Sequence, residues 1–265
     1  MVMSPLLPYQ TDTRINIGEV VWTGMLNEAD VIDTTFNMYS DTPEGGDPDA
    51  RSPTLRRYHK VLWSKPLPCG TMFDLDASGQ KPFLRHKSEL GEFKLSSDAI
   101  TQSYRHTKRM ADIIGQLSAD EINQVFNSGA TIGSYTLFPA NRVAGTMTIN
   151  GARGCNFKIG DRFDLTLECI RRYYRQQESP LSFTLSSYGA FFDLFENFRG
   201  YVDFFLLHDL VSDDYNTIKF YLPLNGFERT PYPATAEEYR VYRSGVLDFI
   251  AARNRRIEDW CQNPA

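Results

Sequence analysis

The chain has 265 residues, close to two domain lengths of roughly 150, so it can bury a sizeable core and needs no disulfide or metal staple. With 28 Lys+Arg against 33 Asp+Glu, a formal net charge of -5, 42% hydrophobic and 13% aromatic residues, it is neither disordered nor collagen-like. The acidic balance also excludes nucleic-acid binding through bulk positive charge, although a local basic groove stays open.

Met1 to Gln10 carry neither the charged nor the apolar region of a signal peptide, and no run approaches the ~18 apolar residues of a membrane span. A cytoplasmic chain with no membrane partner is the expectation. Cys69, Cys155, Cys169 and Cys261 form no Cys-x-x-Cys pair, so they read as free thiols rather than zinc ligands or redox partners.

In chain order, Arg14 to Trp22 predicts a strand and Ser40 to Pro53 a long loop rich in Asp, Pro and Gly. Short strands are predicted at Tyr58 to Trp63, Thr71 to Leu75, Pro82 to His86 and Glu92 to Leu95, each set off by turn residues. Ile100, Tyr104, Ala111, Ile114 and Leu117 then recur at helical spacing behind a Ser97-Asp98 cap, and Ser118 with Glu121 spells a capping box for a second helix. Thr131 to Phe138 and Val143 to Ile149 read as a hairpin closed by Pro139 to Arg142.

Beyond Gly160 the pattern turns helical. Asp161 to Gln176 places Phe163, Leu167, Ile170 and Tyr174 on one stripe, and Ser182 to Phe198 does the same with Leu185, Tyr188, Phe192 and Phe195 before a stop at Gly200. Tyr201 to Val211 is apolar enough to be a buried helix or a buried strand. Thr217 to Leu222 predicts a strand, and Thr235 with Glu238 opens a long last helix. The expected fold class is α+β: one domain over residues 1–265, strand-rich over 1–97, mixed over 98–160 and mostly helical over 161–265.

The densest concentration of candidate chemistry is Asn150 to Gly160, where three glycines, Arg153 and Lys158 precede a helix start that favours anions. It fits neither the Walker-A nor the dinucleotide fingerprint, and Asp161 at the expected cap would repel an anion. An ordinary glycine-rich connection is the simpler account. On the next helix, Asp164 and Glu168 stand one turn apart; in a cleft, one of them could serve as a general acid or base. Glu168 to Arg172 is also a favourable i,i+4 pair, so a solvated or salt-bridged face explains the pattern without chemistry.

Among the four histidines, His59 in Arg56-Arg57-Tyr58-His59-Lys60 is the first choice as a proton carrier beside basic and aromatic groups. His86 and His106 read as surface residues. His208 with Asp203, Asp209, Asp213 and Asp214 has metal-ligand residue types, but no spaced metal motif supports a metal and none is assigned. Gly-x-Ser-x-Gly is absent, so nucleophilic serine chemistry has no signature.

The stretch Thr148-Ile149-Asn150-Gly151-Ala152-Arg153-Gly154, with Asp161-Arg162-Phe163-Asp164-Leu165-Thr166-Leu167-Glu168-Cys169-Ile170-Arg171-Arg172-Tyr173-Tyr174, resembles an uncharacterised family of bacterial cytosolic proteins. Similar strings lie at Tyr58 to Pro68 and at Gly200 to Leu207. The resemblance implies a bacterial origin and transfers no catalytic residue.

Two classes of function follow. The first is an enzyme acting on a phosphate-bearing substrate, nucleotide or RNA, with Arg142, Arg153, Lys158 and Arg162 binding it and Glu168, His59 and Asp164 moving protons. A narrower form is ADP-ribosyl transfer from NAD by His59, Tyr135 and Glu168, although Glu168 stands on a helix. The second class is a non-catalytic interaction module whose 14 Tyr and 18 Phe anchor a protein partner. No cofactor is specified by the sequence.

Overall fold

The computed structural model describes residues 31–143 and 145–263. The strand expected over Arg14 to Trp22 lies outside them. After a 3₁₀ turn at Met38–Asp41, two helices follow where a loop and a strand were expected, α1 at Pro48–Arg51 and α2 at Pro53–Trp63. The start of α2 is fixed locally: the Ser52 hydroxyl accepts from the Leu55 N–H at 3.0 Å and Pro53 occupies the first turn. Leu55, Tyr58, His59, Leu62 and Trp63 then recur at three- and four-residue intervals and are buried. That period is helical, and it overrides the strand preference of the Tyr, Val and Trp residues within the same run.

Two small antiparallel sheets come next. β1 at Lys65–Pro66 pairs with β2 at Met72–Phe73, and β3 at Leu84–Ser88 pairs with β4 at Gly91–Ala99. β4 is longer than expected and absorbs Ser97 and Asp98, which therefore cap no helix. The expected long helix shrinks to a 3₁₀ turn at Lys108–Met110 and α3 at Ala111–Ile114, since Tyr104 turns the chain with a positive φ of 56°. The predicted capping box opens α4 at Ala119–Gly129, with Ser118 and Glu121 bonded reciprocally. β5 at Tyr135–Pro139 joins the far edge of β4, giving sheet order β3-β4-β5.

Among the described residues no hairpin partner follows β5. Thr148 instead caps α5 at Ile149–Cys155, so much of the glycine-rich run is helical. The connection ends at Gly160, whose φ is 54° and where a Cβ would lie 2.6 Å from Pro231 Cγ. Then come α6 at Phe163–Tyr174, α7 at Ser182–Ser187, α8 at Gly189–Asp193, α9 at Phe198–Phe204, and α10 at Ala236–Gln262.

The single helix expected over Ser182 to Phe198 is thus two short ones broken at Tyr188. Gly200 lies inside the first turn of α9 rather than ending a helix, and the glycine is required by close packing, since any side chain there would collide with the Phe195 carbonyl oxygen. The Tyr201 to Val211 segment continues α9 and then makes a 3₁₀ turn at His208–Leu210. Thr217 to Leu222 contributes one bridge, Ile218 to Val211.

The class is α+β, as expected. α10 packs along α4 and the Ile132–Ser134 turn with Tyr239, Tyr242, Val246, Phe249, Ile250 and Ile257 buried. A belt of rings from Trp63, Phe73, Phe191, Phe192, Phe195, Tyr201, Phe204 and Phe205 joins the small sheets to α8 and α9. Such ring pairs add about 0.5–1.5 kcal/mol each beyond area burial, so this belt fixes the relative placement of α2 and α9. Lys65, just beyond the end of α2, and α9 carry the candidate site.

Candidate functional site

The residues singled out by sequence fall into separate internal networks. Arg153, fully buried, donates to Asp98 Oδ2 at 2.6 Å, the Ala99 carbonyl at 3.1 Å and the Asp161 carbonyl at 2.8 Å, and its Nη1 lies 3.0 Å from Asp161 Oδ1. Burial alone would lower its pKa, but the two carboxylates outweigh it and hold the guanidinium charged.

Arg162 lies flat against Asp164, with Nε donating to Oδ1 at 3.0 Å and Nη2 to Oδ2, and its remaining N–H groups reach the Pro231 and Leu222 carbonyls. Asp164 Oδ2 also accepts from the Tyr221 N–H at 3.0 Å. Glu168 is forked by Arg171 at 2.7 and 2.8 Å and by Arg172 at 2.8 Å. Burial would raise its pKa, yet these bonds hold it below the ordinary carboxylate value, so it stays ionised.

His59 belongs to a buried chain of hydrogen bonds. The Trp63 indole N–H donates to its Nδ1 at 2.9 Å, so the ring proton sits on Nε2, which donates to Ser97 Oγ at 2.9 Å. Ser97 in turn donates to Asp49 Oδ1 at 2.7 Å. Burial, helped by the Arg253 guanidinium, pushes His59 down to about 3, so it is a fixed neutral donor rather than a proton carrier. His86, expected at the surface, is buried instead, with its ring stacked on Phe73. Arg142 and Lys158 are exposed. The expected clamp of arginines around Glu168 is therefore not assembled: Arg153 and Arg162 spend their donors on carboxylates and carbonyls inside the core. None of the seven candidate residues lines the depression that opens beside β1.

That depression, about 520 Å³, lies between β1, α9 and the end of α10, and falls within the roughly 300–1,000 Å³ of small-molecule sites. Lys65 forms its distinctive wall. Its ammonium lies 4.8 Å from the ring centre of Phe204, 5.0 Å from Trp63 and 5.2 Å from Trp260. Among the described residues it meets no carboxylate at ion-pair distance and no hydrogen-bond acceptor. Cation–π contacts stabilise it only in part. Burial pushes the ammonium down to about 7, the nearby Arg253 guanidinium adds to this, and Asp203 opposes it.

Asp203 lies on the same wall with its side chain 43% exposed. Its Oδ1 accepts from His208 Nε2 at 2.8 Å and the Tyr215 hydroxyl at 2.7 Å, while Arg199 Nε stands 3.5 Å from Oδ2. Burial and the Arg256 guanidinium hold His208 below its ordinary value, so a neutral ring presents its N–H to the carboxylate. Gly200 closes the floor by its approach to Pro68, since a Cβ at this position would stand 3.1 Å from Pro68 Cγ.

Of the residues grouped above as metal-ligand candidates, Asp203 and His208 meet, but Asp209 and Asp214 turn to partners of their own. Asp209 pairs with Arg256 at 3.0 Å and Asp214 ties the turn of Ser212 and Asn216, and no group of three or more His, Cys, Asp or Glu residues suited to a metal occurs among the described residues. Sequence reasoning missed Lys65 because its cage comes from three distant segments. The available signal was the adjacency of Lys65 to Trp63, together with the Asp203-Phe204 pair.

Residues 32–257, from ahead of the first 3₁₀ turn into α10, match a family described as a family of unknown function, DUF6994. The chain belongs to the DUF6994 family. No curated protein matches it, and no solved structure does. The DUF6994 match spans every wall of the Lys65 depression except Trp260. No helix among the described residues is long and apolar enough to cross a membrane.

Proposed function

We propose that this DUF6994 chain is an enzyme whose Lys65 amine condenses with a small carbonyl substrate, while Asp203 relays protons. The observation that carries this reading is an amine enclosed by three aromatic rings, without an anionic partner among the described residues, on the wall of an open depression of about 520 Å³. A lysine in an apolar pocket beside another cation is an activated nucleophile.

The neutral amine adds its lone pair to the carbonyl carbon, and the C=O π pair moves to oxygen. Nitrogen gives up one proton as oxygen gains one. Loss of water then leaves an imine, which hydrolysis reverses. In this reading Asp203, which lines the same depression and is held by His208, Tyr215 and Arg199, takes and returns the proton through water.

The test is reductive trapping on the full chain at pH 7 with a panel of neutral and charged small aldehydes and cyanoborohydride, followed by peptide mass mapping. Lys65 is expected to be alkylated ahead of every exposed lysine, and Lys65→Arg to remove that site. Labelling of Lys65 no faster than the exposed lysines overturns the reading.

The phosphate-bearing substrate anticipated from sequence survives only as a chemical class of ligand, since Arg153 and Arg162 are satisfied internally. A bacterial cytoplasmic setting is part of this proposal, supported by the sequence resemblance and by four cysteines without a disulfide. A second reading, as an interaction module, is favoured by Phe157 and Phe183, which are 73% and 79% exposed on α5–α6 and α7 segments that pack together. Thermal-shift screening separates the two: stabilisation by small carbonyl compounds supports the enzyme, and stabilisation by a protein partner alone supports the module.

A further inference from the structure

The polar groups around Lys65 are unequal in sign. Lys65, Arg199 and Asn197 present donors to the depression, and Asp203 is the carboxylate among its lining residues. Asp203 is already engaged, accepting from His208 and Tyr215 and lying beside Arg199 Nε. Asn197 uses its Oδ1 to accept from the Gly200 N–H at 3.0 Å, which leaves its amide N–H₂ as the free end.

Arg199 stacks over Tyr215 with its Cζ 5.0 Å from the ring centre, so the fork is steadied by an aromatic face although its side chain is 70% exposed. Its terminal nitrogens find no carboxylate of their own among the described residues. The remaining lining near Lys65, with Leu67, Phe204, Leu206 and Trp260, is apolar. A ligand that fills this space must bring acceptors, and a planar fork at the rim fits a carboxylate or phosphate in two parallel bonds.

Building on the imine reading above, we infer that the substrate is a small carbonyl compound bearing an anionic group, carboxylate or phosphate, with its carbonyl carbon at the Lys65 amine and its anionic end on the Arg199 fork. Arg199 is then a specificity residue: it touches the substrate without taking part in the bond changes at carbon.

The experiment compares glyoxylate, glycolaldehyde phosphate and neutral propanal in the same trapping reaction, where cyanoborohydride supplies hydride to the imine carbon and leaves a secondary amine on Lys65. Each Lys65 rate is divided by that of exposed lysines in the same sample, which cancels the intrinsic reactivity of the aldehyde. In the native chain the anionic aldehydes are expected to label Lys65 roughly tenfold faster than propanal on this scale, and Arg199→Gln to shrink that preference toward unity. The faster of the two anions identifies the group carried.

A preference that is absent in the native chain, or unchanged in Arg199→Gln, while Lys65 is still labelled selectively, overturns this inference and leaves the imine reading standing. Failure of all three aldehydes to single out Lys65 overturns both.

Discussion

Replacing Asp164 with alanine should destabilise the folded chain by about 3–5 kcal/mol, the cost of stranding one member of a buried ion pair. Arg162 is 3% exposed and Asp164 fully buried. Removing the carboxylate leaves the guanidinium with only the Pro231 and Leu222 carbonyls, and leaves the Tyr221 N–H without an acceptor. The pair pins α6 to the segment that runs from Ile218 toward α10, so the loss is expected to appear as one cooperative shift in a urea denaturation midpoint. Arg162→Met combined with Asp164→Leu should recover most of the deficit, because desolvating both charges is itself expensive. A loss below about 1 kcal/mol for the alanine variant would show that the pair is not the anchor of this interface.

The second large effect concerns pH. With the Lys65 ammonium pushed down to about 7, the trapping rate should rise about tenfold per pH unit below that value and level off above pH 8. Exposed lysines keep rising toward their ordinary value near 10.4, so at pH 7 the neutral fraction of Lys65 exceeds theirs by roughly three orders of magnitude.

The sign of the linked stability follows from the same difference. Between about 7 and the unfolded value, the unfolded chain holds a proton at this lysine that the folded chain has released. Stability from this group therefore rises with pH across that window, and below it the folded state bears the full cost of a buried ammonium. A rate profile for Lys65 that parallels the exposed lysines, with its midpoint near 10, would refute the activated amine.

The elements legible in the sequence are those whose signals are local. α6 and α10 announce themselves through an unbroken stripe of apolar residues, α4 and α10 through caps, and all three stand where expected. Tyr58 to Trp63 reads as a strand when six residues rich in β-formers are considered alone, whereas the decisive Ser52-Pro53 start lies just upstream.

The candidate site is less legible for the same reason. Asp164, Glu168, Arg153 and Arg162 are close in sequence, and proximity makes them look like one cluster; burial instead gives each its own partner. Along α6, Phe163 through Ile170 are all buried, so the acidic half of the expected face is neutralised internally, while the expected Glu168–Arg172 pair forms at the partly exposed arginine end. Lys65 stands out only once Trp63, Phe204 and Trp260 gather around its ammonium, and no one-dimensional pattern encodes that meeting.

Trp63 touches Lys65 with the face of its indole and His59 with the edge. The same ring, buried behind the depression, is therefore both a face of the Lys65 cage and the first link of the chain through Ser97 to Asp49. With Trp260 also against the ammonium, two of the chain's three tryptophans bracket one amine. Any event that discharges or alkylates that nitrogen changes the local field on both chromophores at once, so the molecule carries its own optical gauge of the state of Lys65.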